Sequence, residues 1–239
     1  MIVIIIGIIG ILLMILVPLS SFIYNRNRKL KAYYKTVWKK SSSLKPKEVL
    51  RERPFNKYYY QRPEDDLISK SMNNKENILI IGRPLSGKSR AAYQALTNLN
   101  KPYDVTIPRC VDINLETFLF PKHFKTRRPR IILIDDLHRF VEQQNFEHLF
   151  RIIMENNVVI VATCRSGIEH KKVKRKMLDK NMDLETIFGH NIIELGKIPK
   201  DVGKKIADEV EIDWEEVKFD GTVGSIFMRL VEMENRFIE

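Results

Sequence analysis

Gly82-Arg83-Pro84-Leu85-Ser86-Gly87-Lys88-Ser89 decides how the rest of this sequence is read. It matches G-x-x-x-x-G-K-[ST] at every fixed position. The residues before it, Ile78-Leu79-Ile80-Ile81, are the short apolar run expected of a buried parallel strand. The residues after it, Ser89-Arg90-Ala91-Ala92-Tyr93-Gln94-Ala95-Leu96, favour a helix with Ala92, Leu96 and Leu99 on one side. A strand, a glycine loop and a helix in this order make a polyphosphate cradle. Gly82 and Gly87 let the backbone wrap so that N–H groups face inward. The helix N-terminus adds partial positive charge. Lys88 offers an ammonium to the β and γ phosphates, and the Ser89 hydroxyl offers Mg²⁺ a ligand. The loop residues and the adjoining Arg90 are thus candidate cofactor-binding residues, with ATP and Mg²⁺ the expected cofactors.

A second element answers the first. Ile131-Ile132-Leu133-Ile134-Asp135-Asp136 is an apolar strand ending in two carboxylates, the Walker B pattern. Adjacent carboxylates at a strand end are costly unless a cation balances them. Asp135 is expected to hold Mg²⁺ through water, opposite Ser89, and Asp136 to orient or deprotonate the attacking water. The simpler reading of Asp136 is a cap on the helix starting near Leu137. A third run, Val158-Val159-Ile160-Val161-Ala162-Thr163, ends in Cys164-Arg165. At this strand end Thr163 is expected to order the water and Arg165 to touch the γ-phosphate. An ordinary surface ion pair is the plain alternative for Arg165.

Further strands are expected at 104–107 and 191–195, with helices at 138–156, 168–185, 200–210 and 226–237. Strands alternating with helices predict an α/β fold, a doubly wound parallel sheet with nucleotide at the strands' carboxyl ends. The two cysteines, Cys110 and Cys164, match no disulfide or metal-ligand spacing and read as reduced thiols.

The beginning of the chain has a different character. Residues 1–25 carry no charged side chain, and Ile2 to Val17 is unbroken apolar sequence. A helix over 1–24 would reach about 36 Å, enough to cross a hydrocarbon core of about 30 Å. No basic residue precedes the run and no small-residue cleavage site follows it, so a transmembrane anchor is favoured over a cleaved signal. The net charge is +11. Between Asn25 and Lys75 stand 15 Lys/Arg against 5 Asp/Glu, so the excess is local. Arg26, Arg28, Lys29, Lys31, Lys35, Lys39 and Lys40 follow the span. They predict an N-terminus outside and the bulk of the chain cytoplasmic at the cell membrane, with residues 1–40 against lipid. Residues 25–57, with Ser41-Ser42-Ser43, Pro46 and Pro54, read as a basic juxtamembrane linker. The nucleotide-binding domain is then 58–196 and a small helical subdomain 197–239.

Several of these pieces resemble one family. The chain is similar to STAND NTPases, the signal-transduction ATPases that include the NACHT and apoptotic-ATPase groups, over about 60 to 235. Tyr60-Gln61-Arg62-Pro63-Glu64-Asp65 resembles the segment packed near adenine there, which adds Arg62 to the cofactor-binding residues. Ala162-Thr163-Cys164-Arg165 resembles the strand-end T-x-R sensor. Ile193-Glu194-Leu195 followed by Ile198-Pro199 resembles the entry to the helical subdomain. Phe219-Asp220-Gly221-Thr222-Val223-Gly224-Ser225 looks like its nucleotide-proximal glycine turn, without the usual proline. Family members continue into a winged helix and repeats, whereas this sequence stops at Glu239. The resemblance implies a slow Mg²⁺-dependent ATPase used as a nucleotide-gated signalling switch, with a homo-oligomer or a signalling protein as partner.

Two other classes stay open at this level. One is a nucleotide-binding scaffold that does not hydrolyse. The other is a P-loop kinase, with the basic residues at 170–176 as a lid. Nucleic acid is disfavoured as a partner because the excess charge is juxtamembrane. No N-K-x-D motif follows the acidic strand, which favours ATP over GTP.

Overall fold

The computed structural model describes residues 22, 24, 25, 28, 34–51, 53, 55–110 and 128–236. Residues 1–21, on which the anchor reading rests, lie outside them. Among the described residues no helix is long and apolar enough to cross a membrane. By internal packing the chain divides into Met1–Lys39 with Pro121–Lys125, and Lys40–Phe120 with Thr126–Glu239. In the first unit Tyr34 stacks on Trp38, ring centroids 5.7 Å apart.

The second unit carries the sheet. Strand β1 (Lys39–Lys40) ends at the first residue of this unit, whose other strands are β2 (Ile78–Gly82), β3 (Asp104–Thr106), β4 (Arg130–Ile134), β5 (Val159–Arg165) and β6 (Ile192–Leu195). They lie in the order β1-β3-β4-β5-β2-β6. Pairing is parallel between β3 and β4, β4 and β5, β5 and β2, and β2 and β6. The chain therefore leaves β2, crosses two strands to β3, returns through β4 and β5, and jumps to β6 on the other side of β2. The direction of winding reverses beside β2. In open α/β sheets the crevice outside the carboxyl ends at such a reversal is where ligands bind.

The helices are α1 (Pro46–Leu50), α2 (Pro63–Asn73), α3 (Lys88–Thr97), α4 (Leu137–Phe140), α5 (Phe146–Glu155), α6 (Ile168–Leu178), α7 (Leu184–Phe188), α8 (Lys200–Glu209) and α9 (Val223–Arg236). The strands' period of two feeds both faces of the sheet. Ile78, Ile80, Ile131, Leu133, Val159 and Val161 join one buried cluster with Val49, Ile68, Met72, Ala92 and Leu96 of α1–α3. The alternate residues Leu79, Ile132, Ile134, Ile160 and Ala162 are also fully buried, and α4 and α6 pack against β5. The sheet is covered on both sides, as parallel sheets require.

Three expectations change here. The segment read as a linker is structural from Lys40 onward: Leu44, Val49 and Leu50 are buried in the main core. Pro46 starts α1 instead of breaking the chain, at the first helical position where its missing N–H costs nothing. The helix expected at 138–156 is two, α4 and α5, separated by a turn through Gln143. The helix expected at 168–185 stops at Leu178, and α7 begins afresh where the Asp183 carboxylate accepts from the Glu185 and Thr186 backbone N–H groups.

The C-terminal helices form an appendage with its own small core of Ile198, Ile206, Ala207, Ile212 and Ile226. Tyr58 and Tyr60, from the approach to α2, pack into that core and tie it to the sheet domain.

Candidate functional site

The loop after β2 has the shape its glycines foretell. Gly87 has φ 91°, a left-handed conformation that side chains resist, and α3 begins at the next residue. Leu85 is also left-handed, φ 62°, without being glycine, a local strain of the kind concentrated at working sites. Lys88 turns back beneath the loop. Its Nζ donates to the Gly82 carbonyl at 3.0 Å and the Arg83 carbonyl at 2.7 Å. Burial pushes the Lys88 ammonium down to about 8, with the nearby Asp136 carboxylate pulling the other way. It is still a cation at neutral pH.

Facing the loop is the carboxyl end of β4. The register pairs Ile134 with Ala162, so Asp135 lies level with Thr163. Asp135 is buried, and its Oδ1 accepts from Ser89 Oγ at 2.6 Å and Thr163 Oγ1 at 2.8 Å. Thr163 Oγ1 in turn accepts from the Asp136 backbone N–H at 2.9 Å. Asp136 itself has φ 62°, a region Asp tolerates better than most residues. It stands at the N-cap position of α4 but its side chain makes no capping bond, so the plain capping role does not apply. Ser89 and the two carboxylates are thereby drawn to one point, the donor set that Mg²⁺ takes together with phosphate oxygens and water. Arg53 bears out the fit, because its guanidinium already sits there as a cation. Its Nη1 is 3.0 Å from Asp135 Oδ2 and also donates to Ser89 Oγ, while Nη2 is 2.9 Å from Asp136 Oδ2.

A cavity of about 550 Å³ opens above these groups. Ser86–Ser89, Asp136 and Arg165 are among its polar lining, and Phe55, Tyr59, Tyr60, Leu195 and Phe227 among its apolar and aromatic lining. A volume of this order suits a nucleotide-sized ligand.

The sequence-derived site residues divide as follows. Gly82, Lys88, Ser89, Asp135 and Asp136 converge. Arg165 lines the cavity opposite Gly82 in register, with Glu169 3.9 Å away as an exposed partner. Thr163 departs from expectation: it is fully buried and its hydroxyl is spent on the two aspartates, so it positions them and does not face a water in the cavity. Arg62 lines the cavity and also braces its loop. It is buried, and Nη2 donates to the Ser86 carbonyl at 2.8 Å while Nη1 donates to the Gly196 carbonyl at 3.3 Å. Arg83 points to the appendage, donating to the Asp220 carbonyl at 3.1 Å. Arg90 lies over the Phe55 ring at 4.3 Å and the Tyr59 ring at 5.3 Å, part of the cavity's aromatic side. Pro84, Leu85, Ser86 and Gly87 line the cavity.

The appendage meets the loop directly. Gly224 N–H donates to the Leu85 carbonyl at 2.9 Å, and a Cβ on Gly224 would come within 2.7 Å of that oxygen. Only glycine fits this approach. Sequence reasoning placed Gly224 near the nucleotide but missed Arg53 and the aromatic lining of Phe55, Tyr59 and Phe227.

An interior strand carrying the glycine-lysine loop, with the acidic strand one position removed across β5, defines a P-loop fold. Among solved structures the chain is similar to the RuvB Holliday junction branch migration motor of Thermotoga maritima. Identity is 18%, the TM-score is 0.44, and the match covers 71% of this chain and 58% of that one. It is also similar to NtrX from Brucella abortus in complex with ADP, at 14% identity and a TM-score of 0.38, covering 65% of this chain and 43% of that one. The chain thus spans less than two thirds of the length of either. No protein-family description and no curated protein matches it.

Proposed function

We propose that this chain binds Mg·ATP and hydrolyses it slowly, as a nucleotide-gated switch. One observation carries the reading: Lys88 under its loop and Asp136 face the same cavity, with Asp135 buried just behind and bonded to the cavity-lining Ser89. In the proposed chemistry the Lys88 ammonium holds the β and γ phosphates. Asp136 orients a water and accepts its proton as the water oxygen attacks the γ-phosphorus. The bond from that phosphorus to the bridging oxygen breaks, leaving ADP and phosphate. Arg165, beside Gly82 at the next strand end, stabilises charge on the transferring group. Mg²⁺ held by Ser89 and Asp135 would supply charge neutralisation between the phosphates. The contact of Gly224 with Leu85 supports the switch, since a change at the loop bears directly on the appendage. The finer resemblance to STAND proteins, and any self-association, belongs to this same proposal.

The expected turnover test uses phosphate release. Asp136→Asn should cut the rate at least ~100-fold, the usual scale for a lost general base, with Mg·ATP affinity changed less than about threefold. Equal, negligible release by wild type and variant would remove the enzyme reading. The commitment of Thr163 to the aspartates favours that second reading, a binding scaffold without hydrolysis. A kinase is less favoured, because Lys172 and Lys174 of the supposed lid pair with Glu142 and Glu185 at the surface.

We also place the chain at a membrane through residues 1–40, on the uncharged run and its basic flank. Retention in the membrane pellet after alkaline carbonate washing is the expected result. Release into the supernatant would end that assignment.

A further inference from the structure

We infer that Arg53 is an internal competitor for the divalent cation, so that the site admits Mg²⁺ only together with a nucleotide. The inference rests on the Mg·ATP reading of the site and concerns its regulation. Three of the groups that converge there, Ser89 Oγ, Asp135 and Asp136, all engage one guanidinium. Asp135 and Asp136 side chains are 3% and 14% exposed, but Arg53 is 45% exposed. The acceptors are fixed and the cation covering them is not. The Asp135 carboxylate is held from behind by Thr163, and Asp136 is held at its backbone by the same hydroxyl, so both residues stay at the strand end when the arginine leaves. Arg53 reaches the site from a stretch between buried Leu50 and the cavity-lining Phe55. Its side chain can swing into solvent without unpacking the core.

The consequence follows from charge. With Arg53 in place, one of the pair's two negative charges is balanced and one oxygen of each carboxylate is occupied, leaving a bare divalent ion less to gain. A nucleotide changes the balance, because its phosphates add oxygen ligands and negative charge beside the carboxylates, which a divalent cation satisfies with twice the charge of one guanidinium.

The test is Mn²⁺ binding to the full-length chain in detergent micelles, followed by electron paramagnetic resonance without nucleotide. Arg53→Gln should bind Mn²⁺ at least tenfold more tightly than wild type. Arg53→Lys, whose single ammonium cannot span both carboxylates, should fall between, and it decides the matter if the glutamine variant does not fold. Equal Mn²⁺ affinity in wild type and variants overturns the inference and leaves nucleotide binding standing. In parallel, calorimetry with Mg·ATP should show binding to wild type and tighter binding to Arg53→Gln. Absence of ATP binding to both would overturn the site reading itself, and this inference with it.

Discussion

Lys88→Ala is expected to lower Mg·ATP affinity by at least ~2 kcal/mol, about 30-fold, without lowering the stability of the fold. The binding loss follows from geometry. Lys88 is the ammonium beneath the loop, and the carbonyls it now touches, Gly82 and Arg83, flank the phosphate cradle. Alanine removes a charge-assisted contact that the loop's backbone cannot replace. The stability expectation follows from the depressed pKa of Lys88, about 8 against an ordinary 10.5. The folded protein binds this proton less tightly than the unfolded chain. Below pH 8 the buried charge therefore costs folding free energy, and wild type should gain stability relative to the variant as pH rises from about 8 towards 10.5. Chemical denaturation at pH 7 and pH 10 measures the difference. A variant that loses binding because it unfolds at pH 7 would contradict this account.

Asp135→Ala should be the most damaging change at the site for the fold itself, destabilising by about 2–4 kcal/mol. Its carboxylate is the acceptor for two hydroxyl donors, Ser89 and Thr163, at 2.6 and 2.8 Å. Both lose that acceptor, and Thr163 is fully buried, where no water replaces it. The pair with Arg53 adds less, because Arg53 is exposed and can turn to solvent. Asp136→Ala should cost clearly less, since among the described residues its ion-pair partner is that exposed arginine. Urea denaturation of the two variants checks the order. Asp135→Ala should also bind ATP equally with and without Mg²⁺. Retained magnesium dependence would show that Asp135 is not the metal-holding carboxylate.

The parts of the site that were legible in the sequence are those made by local chain. A strand, a glycine turn and a helix start lie within one short stretch, and Asp135 ends an apolar strand that can only be buried. The parallel sheet follows from alternation of such runs with helical ones. Thr163 was found at the right strand end, but its partners were not, because a hydroxyl's direction depends on the register between β4 and β5. Arg53 was hidden for a similar reason. It pairs with residues more than eighty positions away, and in the sequence it is one cation among many in a basic stretch. That stretch was read as linker because serines and Pro46 look like loop chemistry. Leu44, Val49 and Leu50 are too sparse to signal core until α3 and β3 are seen against them.

Calorimetric titration of the full-length chain with Mg·ATP, and separately with Mg·GTP, tests the central claim most directly. One site per chain with micromolar ATP affinity is the expected result, lost when Lys88 is replaced. No binding of either nucleotide to folded protein would contradict a polyphosphate pocket between the Gly82–Ser89 loop and the paired aspartates.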